Sequence, residues 1–530
     1  MRFLRSFAIS LMIQGTTLAA YVALATGFAP HIGIASLAAA SCIVMLAASL
    51  PISFGGWGLR ELSAVVALQA IGMSSASALV IALLIGFLSL TVIAGTALVI
   101  MIGWRPQTSP GKAITPPAAV DYVTGLDWLI PLIAATAVLF QIYIPTGGGK
   151  VSVNLADPVV LLGAAVFVLH HVGKGWPVWR IPHVGLWTVA ASAVIVLSVF
   201  KGWMSFGWTD WAFINKGLGW PMLLCYGATG ALIVRRAQED GLVLLLKTLA
   251  ASGAAIALLD IGLGAVDRLG VDFTPGLVEV RMSGLSQNSN AFAFMLLLVF
   301  AALIVLEQRI AARVALMTVA LTGIWFTGSR AAFIAVPTLI IAAFAMGAAL
   351  RPMLKAVVAA VVFIAALAGL EVFATGDLSQ WNTILGRTNA GTGVDAVTMQ
   401  HLQTIFDGWV MFLAQPLFGA GLGAYMSSQI GVAAEPQVIH STPMWLLAET
   451  GVIGFAVFGV AALRLFFDSI RHRGERTALL LMLVLGAIGT MSMAHEMLYQ
   501  RAFWLLLGAI LAMPSIIKSP SIAPSRPATV

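Results

Sequence analysis

Residues 356–373 read AVVAAVVFIAALAGLEVF, with no charge before Glu371. A helix that crosses the ~30 Å hydrocarbon core of a bilayer needs about 20 mostly apolar residues, and in lipid every backbone N–H and C=O must be paired inside the helix. This run therefore reads as a membrane-spanning helix. Similar runs recur along the 530-residue chain, which is 60% hydrophobic and 9% charged, with a mean hydropathy of +0.99. That balance lies far from that of a soluble domain. The expected fold is all-α, a polytopic membrane helix bundle.

The stretch WRPQTSPGKAITPPAAVDY (Trp104–Tyr122) holds too many prolines and polar residues for a membrane helix and reads as an exposed linker. It separates a first part, 1–103, with about three to four helices, from a second part, 123–517, followed by a tail at 518–530. In the second part apolar spans are expected at Leu126–Ile144, Val159–Leu169, Val184–Val199, Leu218–Val234, Leu242–Leu263, Ala291–Leu306, Ala315–Thr327, Ala331–Leu350, Ala356–Phe373, Pro443–Leu463, Leu479–Ala494 and Ala502–Ile517. That is about twelve crossings. MRFLRS leads into a long apolar run without a small-residue cleavage pattern, the form of a signal-anchor helix. Cys42 and Cys225 lie inside apolar runs with neither pairing nor ligand spacing and read as packing residues.

The net charge of +7 is spread over loop clusters, which is topology information and points away from nucleic acid. With a cytoplasmic linker, alternate loops place Lys174/Arg180, Arg235/Arg236, Arg309/Arg313, Arg351/Lys355 and Arg464/Arg471/Arg473/Arg476 inside, as the positive-inside rule asks. The same parity puts 201–216, 264–289, the Ser329–Arg330 junction and a long loop at 374–442 outside. Arg281, Arg330, Arg387, His401 and His440 then lie where topology does not call for positive charge. A bound anion is the simplest reason, since guanidinium pairs with phosphate in bidentate fashion and stays charged. An outer arginine can equally be a snorkelling residue or pair with Asp395, Asp407 or Glu279.

Four stretches in this outer set carry the polar chemistry. VEVRMSGLSQNSNAFAFMLLL (Val278–Leu298) runs into a helix behind the cap-type residues Ser286, Asn288 and Ser289, where free amides favour an anion and Arg281 stands beside them. In FTGSRAAFIAV (Phe326–Val336) Arg330 interrupts two apolar runs with almost no loop, so it must find a partner at the membrane edge. The outer loop contains Val397–Leu413, whose apolar spacing suits an amphipathic surface helix, and the glycine-rich turn PLFGAGLGAY, which lacks the preceding strand and following lysine of a nucleotide loop.

HSTPMWLLAETGVIGF (His440–Phe455) follows. Ser441 and Thr442 are cap types and Pro443 suits the first turn, which leaves His440 just outside a helix, where a neutral imidazole can take a proton from a sugar hydroxyl. Glu449 would lie about 13 Å deeper and on roughly the opposite face, so the two form no direct acid–base pair. Glu449 instead reads as a hydrogen-bonded interior group, with Gly451 and Gly454 permitting close helix approach. No His/Asp/Glu grouping has metal-ligand spacing, and no cofactor is expected.

VRMSGLSQNSNAFAF, TGSRAAF, the loop ending in PLFGAGLGAY and HSTPMWLLAETGVIG, in that order, resemble the O-antigen ligase and polymerase superfamily of bacterial surface-polysaccharide enzymes over about Asp127–Ile517. The resemblance implies a metal-independent, inverting glycosyltransferase at the periplasmic face of the inner membrane. Its donor would be a glycan on undecaprenyl diphosphate, and in the ligase branch its acceptor would be the lipid A core. Membrane lipids would be its other partners. Arg330 matches the family's membrane-edge arginine, which binds the donor diphosphate, and His440 matches the histidine that activates or orients the acceptor hydroxyl. The family's loop arginine falls to Arg387, although the spacing from Pro416 points closer to His401. Arg281, Asn288, Asn290 and His401 are assigned to substrate binding. A repeat-unit polymerase shares the donor chemistry.

SLPISFGGWGLRELSAVVALQAIGMSSASAL (Ser49–Leu79) resembles the final segments of the flippase-like family that includes the membrane portion of lysylphosphatidylglycerol synthases. This raises a lipid or glycolipid transporter as a further reading. Arg60 and Glu61 there would pair at a re-entrant loop or meet a lipid head group.

Overall fold

The computed structural model describes residues 2–49, 59–75, 77–82, 84–86, 89, 125–146, 149–172, 182–268, 281–307, 309–375, 396–429 and 438–513. The linker at 104–122, the tail at 518–530, Lys174, Arg180 and Arg387 lie outside them. The chain forms two compact units, Met1–Asp121 and Tyr122–Val530. The described secondary structure is almost wholly helical, an all-α polytopic bundle.

In the first unit α1 (Arg2–Phe28), α2 (Ile34–Ser49) and α3 (Leu59–Gln69) pack around Tyr21, Leu37, Val44 and Leu68. Arg60 is buried against Gly86, where a methyl group would collide with the guanidinium. The side chain of Glu61, its expected partner, is outside the described residues.

The second unit runs α4 (Gly125–Ala137), β1 (Gln141–Thr146), β2 (Gly149–Asn154), α5 (Asp157–Val172), α6 (Pro182–Phe206), a π-helix (Trp211–Leu218), α7 (Gly219–Arg268) and α8 (Ser289–Val305). It continues with α9 (Ile310–Thr327), α10 (Arg330–Ala345), α11 (Leu350–Thr375), α12 (Ala396–Ala414), α13 (Ala424–Gln429), α14 (Thr442–Arg471), α15 (Arg476–Ser492) and α16 (Arg501–Leu511). Among the described residues of the whole chain, seven helices are long and apolar enough to cross a membrane: Ser10–Phe28, Val184–Phe206, Trp211–Arg235, Ala237–Ala265, Ile310–Thr327, Leu350–Phe373 and Thr442–Arg471. The other expected spans that form helices are shorter.

At the centre lies α8, apolar on every side and buried from Ala291 to Ile304, the pattern of a helix wrapped by other helices. It packs against α7, α9, α10 and α15. Close approach elsewhere rests on small residues: a Cβ at Gly230 would stand 2.0 Å from the Leu505 carbonyl, and one at Gly508 would stand 2.0 Å from the Gly227 carbonyl. α7 breaks at Gln238 (φ 50°, ψ −133°), and a Cβ on Gly241 would lie 2.7 Å from the Ile233 carbonyl. In a straight helix those residues stand about 12 Å apart, so the chain doubles back at Arg235–Asp240.

The expected helix Leu126–Ile144 is corrected. It stops at Ala137, and Gln141–Thr146 is a strand paired antiparallel with Gly149–Asn154 in register Ile142↔Val153 and Ile144↔Val151. The Gln141 N–H also donates to the Leu285 carbonyl at 2.9 Å, so the hairpin finds backbone partners in the loop before α8. The span expected to reach Leu350 ends at Ala345, where Gly347 (φ 95°) lets the chain turn and the Ala348 N–H bonds the Ala343 carbonyl.

Hydrogen bonds sort the connecting segments into two ends. At one, Arg476 pairs with Glu307 and lies 4.0 Å from Glu239. At the other, the 281–288 segment bonds the 327–330 junction, the 209–216 and 438–442 segments both bond the 493–500 turn, and the Arg281 charge reaches His495 in that turn.

Candidate functional site

Asn288 caps α8, its Oδ1 accepting from the amides of Asn290 (3.0 Å) and Ala291 (3.1 Å). The loop before it is held by Asp260, which accepts from the Gly284 N–H at 2.9 Å, and by Gln287, whose side chain accepts from the Tyr143 N–H at 2.9 Å. Arg281 leaves this loop toward the α9–α10 junction. Its Nε donates to the Thr327 carbonyl (2.8 Å) and its terminal nitrogen to Asn290 Oδ1 (3.4 Å), while the Met282 N–H donates to the Phe326 carbonyl (3.1 Å). The junction needs Gly328, at φ 60°, to turn directly from one helix into the next. Ser329 is buried, its Oγ without a hydrogen-bond partner among the described residues, and the side chain of Arg330, which opens α10, is exposed.

The histidines come from three other segments. His401, on α12, stacks on His440 with ring centroids 3.8 Å apart and planes 17° apart. His495, from the turn between α15 and α16, stands perpendicular to both rings, at 6.1 Å and 6.5 Å. The backbone fixes these neighbours: Thr404 Oγ1 accepts from the His440 N–H (3.2 Å), and the His495 carbonyl accepts from the Thr442 N–H (3.2 Å) and hydroxyl (3.0 Å). Ser441 caps α14 by accepting from the Met444 N–H, with proline in the first turn as the spacing predicts.

Burial, then the neighbouring His401, lowers the His440 pKa to about 4. Burial, then His440, His401 and the Arg281 charge, lowers that of His495 to about 3. Both imidazoles are therefore neutral at neutral pH, and Arg281 and the histidines share one electrostatic environment. Unfolding returns each ring to an ordinary value of 6.5, so below that pH the unfolded chain binds protons that the folded site refuses. Stability is expected to fall as the pH drops from about 6.5 to about 4 for His440 and about 3 for His495, and to show no slope from these rings above that window. Melting temperatures in nanodiscs at pH 7 and pH 5 check this, with His440→Asn and His495→Asn flattening the difference.

Behind the histidines, Lys216 Nζ contacts Glu496 Oε2 at 2.6 Å and lies 4.3, 4.4 and 4.1 Å from the ring centroids of Trp211, Trp445 and Tyr499. Deeper in α14, Glu449 is fully buried and accepts from the Trp445 indole (2.8 Å) and the Tyr425 N–H (3.1 Å). It is an interior hydrogen-bonded group, as its position predicts, but Gly451 serves a different purpose from the one expected. At φ 71° it breaks the helix, and the 416–423 turn docks into the break: the Ala420 and Gly421 amides donate to the Ala448 (2.8 Å) and Glu449 (3.0 Å) carbonyls, and the Val452 N–H to the Pro416 carbonyl (2.8 Å).

The structure thus joins Arg281 to Asn290 and to Thr327, and joins His401 to His440. Asn288 faces its own helix amides. Arg387 is outside the described residues. Sequence reasoning missed His495, Lys216 and Glu496; the one available signal was the pairing of His495 and Glu496 in a short interruption between two apolar runs. Among the described residues no group of three or more His, Cys, Asp or Glu could hold a metal ion. No protein-family model matches the chain, and neither does any curated protein.

Proposed function

We propose that the protein transfers a glycan from undecaprenyl diphosphate to an acceptor hydroxyl at the periplasmic face of the bacterial inner membrane, in the manner of an O-antigen ligase with the lipid A core as acceptor. The observation that carries this reading is a histidine cluster in which a neutral His440 stacks on His401 and the third ring, His495, feels the charge of Arg281, itself bonded to the Thr327 carbonyl three residues before Arg330. These groups come from separate stretches, and all but His495 lie in those that carry the sequence resemblance.

The chemistry needs two things. The acceptor hydroxyl must lose a proton as its oxygen attacks the anomeric carbon, and the departing diphosphate must keep the electron pair of the broken C–O bond. His440 receives the proton. Arg281 and Arg330 stabilise the charge that develops on the diphosphate, as fixed donors do without reorganisation. A bound anion also raises the proton affinity of a nearby imidazole, so the donor itself brings His440 toward the strength a base requires.

Reconstituted protein supplied with lipid-linked glycan and a lipid acceptor tests the proposal. Glycosylated acceptor and free undecaprenyl diphosphate are the expected products, and Arg330→Ala is expected to weaken donor use more than Arg330→Lys. Growth of the lipid-linked chain without attachment to the acceptor identifies a repeat-unit polymerase instead. Lipid translocation without transfer would overturn the enzymatic reading in favour of a transporter.

A further inference from the structure

The buried pair Lys216–Glu496 asks for a reason. Its side chains are 1% and 11% exposed, and taking two charges out of water costs enough that such pairs are seldom explained by stability alone. Glu496 Oε1 is in addition buried without a hydrogen-bond partner among the described residues. What the pair does do is geometric. Lys216 holds the 495–499 turn twice, by its ammonium on Glu496 (2.6 Å) and by its carbonyl, which accepts from the Tyr499 hydroxyl (3.0 Å). Thr442 holds the same turn from the opposite side, through the His495 carbonyl and the Met497 N–H (2.8 Å). The residue so clamped between the π-helix and the start of α14 is His495.

We propose that His495 is a positioning residue of the site, its ring set edge-on against the His401–His440 stack so as to fix the orientation of His440, and that Lys216 and Glu496 are the pair that places it. Three rings in this arrangement leave His440 little freedom: one face is covered by His401 at 3.8 Å and its edge is met by His495. The charged and titratable groups around His495 are His401 on α12, His440 before α14, Arg281 before α8, and the adjoining Glu496 with Lys216 of the π-helix.

The proposal deepens the transferase reading, and its experiment separates the two. Full-length protein carrying isotope-labelled histidine is placed in nanodiscs, and the ring nitrogens are followed by NMR against pH, with His440→Gln used to assign the His440 signal. In the native protein the His440 signal is expected to titrate near pH 4. In His495→Asn and in Glu496→Gln that midpoint is expected to move toward an ordinary ~6.5 as the ring gains freedom and water. In the transfer assay the same variants are expected to lose about 10²-fold in kcat, the scale of a misplaced catalytic group, with the donor KM unchanged. Lys216→Met with Glu496→Gln in one chain leaves no unpaired buried charge, so it carries the same readout if a single variant fails to fold. An unshifted His440 midpoint and native kcat in folded variants overturn the proposal. A native protein that transfers no glycan overturns the transferase reading, while the NMR midpoints still decide the positioning claim.

Discussion

Replacing His440 by alanine is expected to slow glycan transfer about 10²- to 10⁴-fold, the range a positioned acid–base group contributes. The residue is placed by four independent devices: the Ser441 cap and first-turn proline of α14, the Thr404 hydroxyl on its N–H, the stacked ring of His401, and the perpendicular ring of His495. None of these holds an alanine at the same point with a proton acceptor. In cells the expected result is lipid-linked glycan that accumulates while mature surface glycan disappears. In purified protein, donor affinity should be little changed, because the arginines remain. Native transfer by a well-folded His440→Ala protein would falsify the assignment of this residue, whatever the acceptor.

The second large effect is expected on stability. Gly451 sits at φ 71°, ψ −172°, a region of the backbone essentially reserved for glycine, and a Cβ there would stand 2.3 Å from the Leu417 carbonyl and 2.5 Å from the Gly419 nitrogen. Across the contact, a Cβ on Gly419 would stand 2.4 Å from the Glu449 carbonyl carbon. Backbone cannot swing aside as a side chain does. Gly451→Ala is therefore expected to cost more than about 3 kcal/mol, since overlap adds to conformational strain of about 1–3 kcal/mol. Gly459, on the same helix, has nothing within 4 Å of a Cβ. Gly459→Ala should match or exceed native stability by up to about 1 kcal/mol. Thermal unfolding in detergent compares the two, and equal losses would show that the interlock does not hold the helix.

The helices were legible because lipid makes the signal simple: an apolar run such as 291–306 has few alternatives to a helix, and the structure forms Ser289–Val305. The start of α14 was legible from capping residues. The hairpin was not, since Leu126–Ile144 is mostly apolar and a short strand differs from a helix there only by the local β-branched and tyrosine residues before Pro145. At the site, His440 and Arg281 stood out as polar residues that topology left unexplained. His495 did not, because one histidine in a short turn says nothing about which other turns lie beside it. Likewise Gly451 reads as a packing glycine in one dimension. Only the docking of the 416–423 turn, far upstream, reveals it as a break.

The π-helix has a consequence for the ammonium it carries. Trp211 and Lys216 are five residues apart, and ordinary α winding at 100° per residue would turn them about 140° away from each other. Winding with bonds from i to i+5 brings the fifth residue back beneath the first, and the Lys216 nitrogen accordingly lies 4.3 Å from the centre of the Trp211 ring. The aromatic enclosure is thus closed on that side by helical pitch. The same eight residues wound more tightly would keep every side chain and leave the cation open on the Trp211 side, with Trp445 and Tyr499 its remaining rings.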